Sequence, residues 1–98
     1  MTEEKITFHF DPVNQEILAK NERGEKVGEI EYHAENGFWS VDHTGVIPSY
    51  RGGSIARDLV ANIVAEARKA GVKLGATCPY AVKVLERTEE FQDIYTAE

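Results

Sequence analysis

Three side chains of this sequence could move a proton or carry an acyl group. Cys78 stands just before Pro79, at the predicted start of a helix, where a thiolate able to accept an acyl group is favoured. His43 lies near the end of a predicted strand and is suited to act as a base near neutral pH. Tyr80 could supply a proton as a general acid. Each also has a structural alternative: buried filler for the cysteine, a hydrogen-bonded position for the histidine and packing against the sheet for the tyrosine.

A glycine-containing segment, Arg51 to Ala56, precedes the most regular apolar pattern of the chain. Gly52 and Gly53 permit a tight turn, and Ser54 occupies a helix N-cap position, so several backbone amides would point at the mouth of a helix. Such a turn can hold a phosphate group, or it can be a flexible loop with a cap. The spacing excludes a Walker A loop and a dinucleotide-binding fingerprint.

The elements that must position these residues follow from the apolar periodicity. The first half alternates with period two and predicts four strands, with Asn36-Gly37 as a type I′ hairpin turn. The second half predicts a long helix that Gly71 ends, then a strand, a second helix and a last helical turn. The predicted strands are residues 6–10, 16–20, 27–33, 38–47 and 72–77, and the predicted helical segments are residues 55–70, 79–87 and 89–95.

This order predicts an α+β fold: a mixed, mostly antiparallel sheet with a long helix after the fourth strand and a second, C-terminal helix. Simple alternation predicts that Trp39, Val41 and His43 share one face of the fourth strand.

Length and charge narrow the range of functions. A chain of 98 residues is expected to form one domain, residues 1–98. With 11 Lys and Arg against 17 Asp and Glu, the net charge of −6 disfavours nucleic acid and anionic membranes as partners. One cysteine excludes an internal disulfide and indicates a reduced, cytoplasmic compartment. Residues 1–5 lack the features of a signal peptide, and no Asp, Glu and His spacing predicts a metal site.

The segment around the glycine loop resembles the acyl-CoA pyrophosphate loop of the GNAT superfamily of acetyltransferases. The small, single-domain members of that superfamily are similar over residues 15–87. The resemblance rests on Val46 and Pro48, on the loop Arg51-Gly52-Gly53-Ser54-Ile55-Ala56, on His43-Thr44 and on Thr77-Cys78-Pro79-Tyr80.

The resemblance implies a minimal GNAT-like fold that uses acetyl-CoA to acetylate an unidentified amine, either a small amine or a protein lysine. It implies a bulge in the fourth strand, which Gly45 would suit, and a gap beside that strand for the pantetheine arm. The amine would attack the thioester directly or receive the acetyl group from Cys78. The implied catalytic residues are Cys78, His43 and Tyr80, and the implied cofactor-binding residues are Val46, Arg51, Gly52, Gly53, Ser54, Ile55, Ala56 and Cys78.

The sequence departs from the larger relatives at three places. Ser54 replaces the usual glycine, and Leu85 stands where those relatives carry a tyrosine acid. Only a turn joins Lys20 to Val27, whereas the larger relatives have helices at this place that form one side of the acceptor site. These departures favour the alternative, a non-catalytic CoA-binding or protein-interaction module on the same fold. We expect a monomer or weak homodimer, and the acidic surface would suit a cationic amine such as a lysine or polyamine.

Overall fold

A five-stranded sheet with two helices on one face forms the fold, as the computed structural model shows for residues 4–97. The strands follow each other across the sheet in chain order; the first four are antiparallel, and the fifth runs parallel to the fourth. The strands are β1 (Thr7–Asp11), β2 (Glu16–Lys20), β3 (Lys26–Glu35), β4 (Phe38–Val46) and β5 (Lys73–Ala76), and the helices are α1 (Ile55–Ala70) and α2 (Pro79–Arg87).

The predicted α+β class and element order are confirmed. Both helices begin and end at the predicted residues, and strand ends differ by at most two residues. The last helical segment is a single 3-10 turn, Glu89–Phe91, after which Tyr95 bridges to Leu74 of β5. Residues 1–3, on which the expected absence of a signal peptide partly rests, lie outside the described residues. In the described range, no helix is both long and apolar enough to cross a membrane.

The core lies between the sheet and the helices. The apolar stripe of α1 packs on β2, β3 and β4, while α2 packs on β4, β5 and α1, so both helices cover the same face. Burial of this stripe, and not helix propensity alone, is what holds a helix of this length in place. The largest fully buried side chains of the described residues are Ile17, Val27, Ile30, Val41, Leu59, Val60, Ile63, Val64, Leu74 and Leu85.

The opposite face of the sheet, which we call the open face, carries the polar side chains of each strand. In β3 the buried Ile30 and Tyr32 alternate with Glu29, Glu31 and His33, as the sequence pattern predicts for a half-buried strand. Within residues 4–97 no helix packs on this face.

A bulge in β4 changes which face its residues occupy. Val41 pairs with Tyr32 but His43 pairs with Glu31, so Asp42 is the extra residue. The prediction that His43 shares a face with Trp39 and Val41 is therefore wrong, because the inserted residue shifts the alternation and sends His43 to the open face. The expected bulge exists, but at Asp42 and not at Gly45.

A gap opens beside β4 where β5 ends. The parallel pairing stops at Val41 and Ala76, and the amides of Thr77 and Cys78 both donate to the Val41 carbonyl, at 2.9 and 3.2 Å. Beyond this point residues 42–46 of β4 continue while the chain turns away into α2. The two strands therefore form a V, with its apex at Val41 and its mouth toward Val46.

Candidate active site

The glycine loop sits at the mouth of this V, at the start of α1. Gly52 adopts φ +91°, a left-handed conformation that favours glycine. The first helical hydrogen bond of α1 joins the Asp58 amide to the Ser54 carbonyl at 2.8 Å. The amides of residues 55–57 therefore have no acceptor within the helix, which is the arrangement that binds anions at helix N-termini.

Ser54 stands at the N-cap position but does not cap with its side chain. Its hydroxyl donates to the Asp58 carboxylate at 2.9 Å and makes no cap hydrogen bond to the backbone. Asp58 places a negative charge in the first turn of α1, which opposes a bound phosphate. An anion at this loop would depend on the backbone amides and on Arg51.

Arg51 folds back toward β4, where its Nε donates to the Val46 carbonyl at 2.8 Å. Ile47 donates its amide to β3, so by backbone alternation Val46 turns its amide and carbonyl toward the gap. The arginine side chain thus reaches the strand edge expected to contact pantetheine, beside the loop expected to contact pyrophosphate.

Two hollows flank the loop and divide the predicted cofactor residues between them. One, of about 290 Å³, lies on the open-face side and is lined by Val46, Arg51 and His43 among others. The other, of about 450 Å³, lies between β1 and α1 and is lined by Gly53, Ser54 and Ile55 with their neighbours. Gly52 is exposed at the tip of the turn, and Ala56 is half-buried behind it in α1.

His43 is held on the open face by a carboxylate. Its Nε2 lies 2.9 Å from the Glu29 Oε2, and the Lys26 ammonium lies 2.5 Å from the other oxygen of Glu29. The hydrogen bond from Lys26, followed by that from His43, lowers the pKa of Glu29 although partial burial acts in the opposite direction. Because the Glu29 carboxylate stays ionised, it can hold the His43 imidazole in one orientation, and a general base needs such a fixed orientation.

Cys78 lies on the other side of the sheet. Its side chain is only 9% exposed within the core cluster, and its Sγ lies 3.8 Å from Thr44 Oγ1. Thr44 pairs with Ile30 and so faces the helices, whereas His43 faces away from them. The fold therefore does not bring His43 and Cys78 together as a nucleophile and its base.

Tyr80 lies at the start of α2, with 39% of its surface exposed. Partial burial raises the pKa of its phenol, while Arg57 lowers it and Asp58 raises it. The ring therefore lies within electrostatic range of the first turn of α1. Leu85, at the position of the relatives' tyrosine, is fully buried and supplies packing.

The match to a known family covers most of the chain. Residues 16–94 match the family model described as GCN5-related N-acetyl-transferase. The chain belongs to this GNAT family. Its members are acetyltransferases whose usual co-substrate is acetyl-CoA. No curated protein sequence matches the chain significantly.

Solved structures support the same family. A GCN5-like protein from Staphylococcus aureus, determined by NMR, is 25% identical with a TM-score of 0.73, and the match covers 100% of this chain and 93% of that one. A GNAT family acetyltransferase from Brucella melitensis in complex with acetyl-CoA is 25% identical over 60% of this chain and 44% of that chain, with a TM-score of 0.54.

A ribosomal-protein-alanine N-acetyltransferase from Brucella melitensis biovar Abortus 2308 shares the fold. It is 23% identical with a TM-score of 0.62, and the match covers 74% of this GNAT chain but 60% of that protein.

A buried network that the sequence did not single out supports the loop of this GNAT domain. Asn21 is only 4% exposed, and its Oδ1 accepts the amides of Arg23 and Glu25. Its Nδ2 donates to the Tyr50 hydroxyl at 3.2 Å, and that hydroxyl donates to Glu4. Asn21 thus ties the β2–β3 turn to the residue before Arg51. An asparagine opening a turn was the available signal, but its tertiary partner was not visible in the sequence.

The fold also gathers side chains that could hold a metal. One potential ligand atom from each of Glu29, Glu31 and His43 lies within 4.8 Å of the others. The sequence predicted no metal site because spacing along the chain does not reveal cross-strand neighbours. Lys26 already neutralises Glu29, so a cation would have to displace that ammonium.

Proposed function

We propose that this GNAT chain transfers an acetyl group from acetyl-CoA to the nitrogen of an amine. The observation that carries the proposal is the V between β4 and β5, which opens directly onto the glycine loop at the N-terminus of α1. This arrangement offers one continuous path, with amides for pyrophosphate at one end and, for pantetheine, the part of β4 beyond Val41 with which β5 does not pair. In the described residues both parts derive from the matched segment, residues 16–94.

The proposed chemistry is direct attack of the amine on the thioester carbonyl. The N–C bond forms, the C–S bond breaks, and the second proton of the amine ends on the sulfur of CoA. Holding the thioester along β4 supplies orientation, which is the larger part of what such a reaction needs. His43, which Glu29 holds by a hydrogen bond, is the proposed proton acceptor on the open face. Tyr80 is the proposed proton donor, because burial raises the pKa of its phenol and keeps it protonated at neutral pH.

The geometry supports direct attack over an acetyl-cysteine intermediate. Cys78 is buried and its sulfur contacts Thr44 on the helix side of the sheet. His43, the candidate base, lies on the opposite face.

A non-catalytic CoA-binding module is the second candidate. Two observations favour it: the Ser54 hydroxyl is taken by Asp58, and Leu85 replaces the tyrosine acid with a buried apolar side chain. The two candidates share the cofactor site and differ only in turnover.

Binding is tested first, by calorimetry with acetyl-CoA and CoA. Arg51→Glu should weaken acetyl-CoA binding at least about ten-fold, because a charge-assisted hydrogen bond is worth about 1.5–3 kcal/mol. Arg87→Glu is the matched control, since it makes the same change in net charge on an exposed residue at the far end of α2. Equal affinities of the two variants would mean that the loop does not hold the phosphates.

Turnover is then measured as thiol release on a panel of amines. Thiol release that depends on the amine supports the transferase. Tight acetyl-CoA binding without any release would favour the module, and no heat at millimolar ligand would remove both candidates.

A further inference from the structure

A third hollow lies on the open face, close to the apex of the V. It has a volume of about 340 Å³ and is lined by His33, Glu35, Phe38, Ser40, Asp42 and Thr77. Asp42 is the bulged residue at which β4 leaves β5, and Thr77 is the first residue after β5. Their side chains approach each other, with Thr77 Oγ1 3.5 Å from Asp42 Oδ1. This hollow therefore touches the point where the thioester would end if pantetheine follows β4.

Carboxylates stand at both ends of the hollow. Asp42 lies beside the apex, and Glu35 lies opposite Phe38 at the start of β4. Phe38 and Asp42 are four residues apart on one strand, so the two ends are separated by about 13 Å. The aromatic ring of Phe38 lines the Glu35 end, and aromatic faces attract cations. A protonated His33, which lies 3.5 Å from Glu35, would compete with a ligand there.

The surrounding charge favours the same kind of ligand. The open face carries more carboxylates than ammonium groups, and the whole chain has a net charge of −6. The carboxylates that the register places on this face are Asp11, Glu16, Glu29, Glu31, Glu35 and Asp42. A cation is drawn to such a surface, whereas an anionic acceptor would be repelled.

We propose that the acceptor is an aliphatic diamine or polyamine that lies in this hollow, with one nitrogen at Asp42 and a second, charged nitrogen at Glu35. The proposal rests on the acetyltransferase function proposed above and names its substrate class. Two carboxylates on neighbouring strands, at the two ends of a hollow about 13 Å long, match a flexible chain with two cationic ends, and a monoamine would use only one of them.

The reacting nitrogen must lose two protons. The His43 imidazole lies against Glu29 and Gly45 and does not line the hollow, so the ammonium at Asp42 releases one proton to water, or to His43 through water, and the neutral amine then attacks the acetyl carbon. The N–C bond forms as the C–S bond breaks, and the second amine proton is transferred to the departing sulfur. The products are the N-acetylated amine, CoA thiol and one released proton.

The test combines binding without cofactor and steady-state kinetics. Amide chemical shifts are recorded on titration with 1,4-diaminobutane and spermidine, and n-butylamine is the singly charged comparison. KM and kcat are then measured at pH 8 with acetyl-CoA for Asp42→Asn, Glu35→Gln and the control Glu89→Gln, an exposed carboxylate on the 3-10 turn.

We expect shifts confined to residues 33–42 and 77, and a KM for the diamines below that for n-butylamine. Exposed ion pairs contribute about 0.2–1 kcal/mol, so Glu35→Gln should raise the KM for diamines about 1.4- to five-fold without changing that for n-butylamine. Glu89→Gln should change neither value. Raising the salt concentration should weaken diamine binding more than monoamine binding, because the diamine carries two charges and the monoamine one.

Three results would overturn the proposal. They are equal KM values for diamines and n-butylamine, no response to Glu35→Gln, and acetylation of a lysine peptide in preference to every diamine. If acetyl-CoA binds in calorimetry while any of these is observed, the acceptor class is wrong and the transferase stands. If acetyl-CoA fails to bind, the transferase itself is wrong, and the cofactor-free shifts still decide whether the hollow holds a diamine.

Discussion

At the scale of single residues, the sheet separates two candidate catalytic residues, His43 and Cys78. His43 and Cys78 both lie near the apex of the V, but the bulge at Asp42 sends His43 to the open face, and Cys78 is buried on the helix side. An imidazole can activate a thiol only within hydrogen-bond reach. The two residues therefore act independently if both act.

Cys78→Ala tests this separation. We expect kcat for amine acetylation to stay within about three-fold of the wild-type value, because the nitrogen attacks the thioester without a protein nucleophile. The change removes a small buried side chain, so the unfolding free energy should fall by about 1 kcal/mol. His43→Ala is the comparison and should lower kcat about 10²-fold or more, the usual size of a general-base contribution. An acetyl-enzyme mass shift that disappears together with turnover in Cys78→Ala would contradict direct attack.

At the scale of elements, the position of the loop depends on how closely α1 lies on the sheet. Gly28 of β3 is the contact point, where an added Cβ would lie 3.0 Å from the Gly45 carbonyl and 3.3 and 3.4 Å from the side chains of Ile55 and Leu59. These neighbours belong to β4 and to the first turns of α1. A larger residue at this position would have to move the helix that carries the loop.

Gly28→Ala should therefore lower the unfolding free energy by about 1–3 kcal/mol, the range observed for overpacked cores. Urea denaturation measures the change. Gly53→Ala is the matched control for stability, because its added Cβ would meet no atom nearer than 4.0 Å and its φ is not in the left-handed region. Equal midpoints for the two variants would show that α1 can shift at little cost.

At the scale of the whole molecule, acidic charge and paired carboxylates set the response to pH. The pKa values of four described carboxyl groups are lowered by hydrogen-bond donors or cations, and the principal donors are Asn14 for Asp11, Asn21 for Glu25, Lys26 for Glu29 and Arg68 for Asp93. A group whose folded pKa is depressed stabilises the protein above its unfolded pKa and loses that contribution as the pH falls through the folded value.

Stability should thus change little between pH 7 and 5, where protonation also relieves the repulsion of a chain with net charge −6. Below pH about 4, the usual range for unfolded Asp and Glu, it should fall steadily. Urea midpoints at pH 7, 5.5, 4 and 3 measure this. Glu29→Gln should show a smaller loss between pH 4 and 3 than the wild-type protein, and a flat profile from pH 5 to 3 would contradict the assignment.

Local patterns of residues are sufficient to predict the elements and the family of this chain. Period-two alternation and the stripe from Ile55 to Ala70 are local consequences of burying one face, so the strands, both helices and the loop before α1 were predicted within a few residues. The glycine loop and its resemblance to the GNAT superfamily were likewise carried by adjacent residues. Residues 1–98 as one domain, the cytoplasmic location and the site assignments stay predictions.

Which side chains become neighbours depends on contacts between segments that are distant in the chain. One inserted residue at Asp42 reversed the face of His43, and a bulge leaves no mark in the apolar pattern of a half-exposed strand. The partners of Asn21 and Glu29 come from other strands and loops, at separations that no local rule describes. The opening of β4 from β5 depends on where a parallel pair ends, because that edge is set by packing between distant segments and not by the residues of either strand.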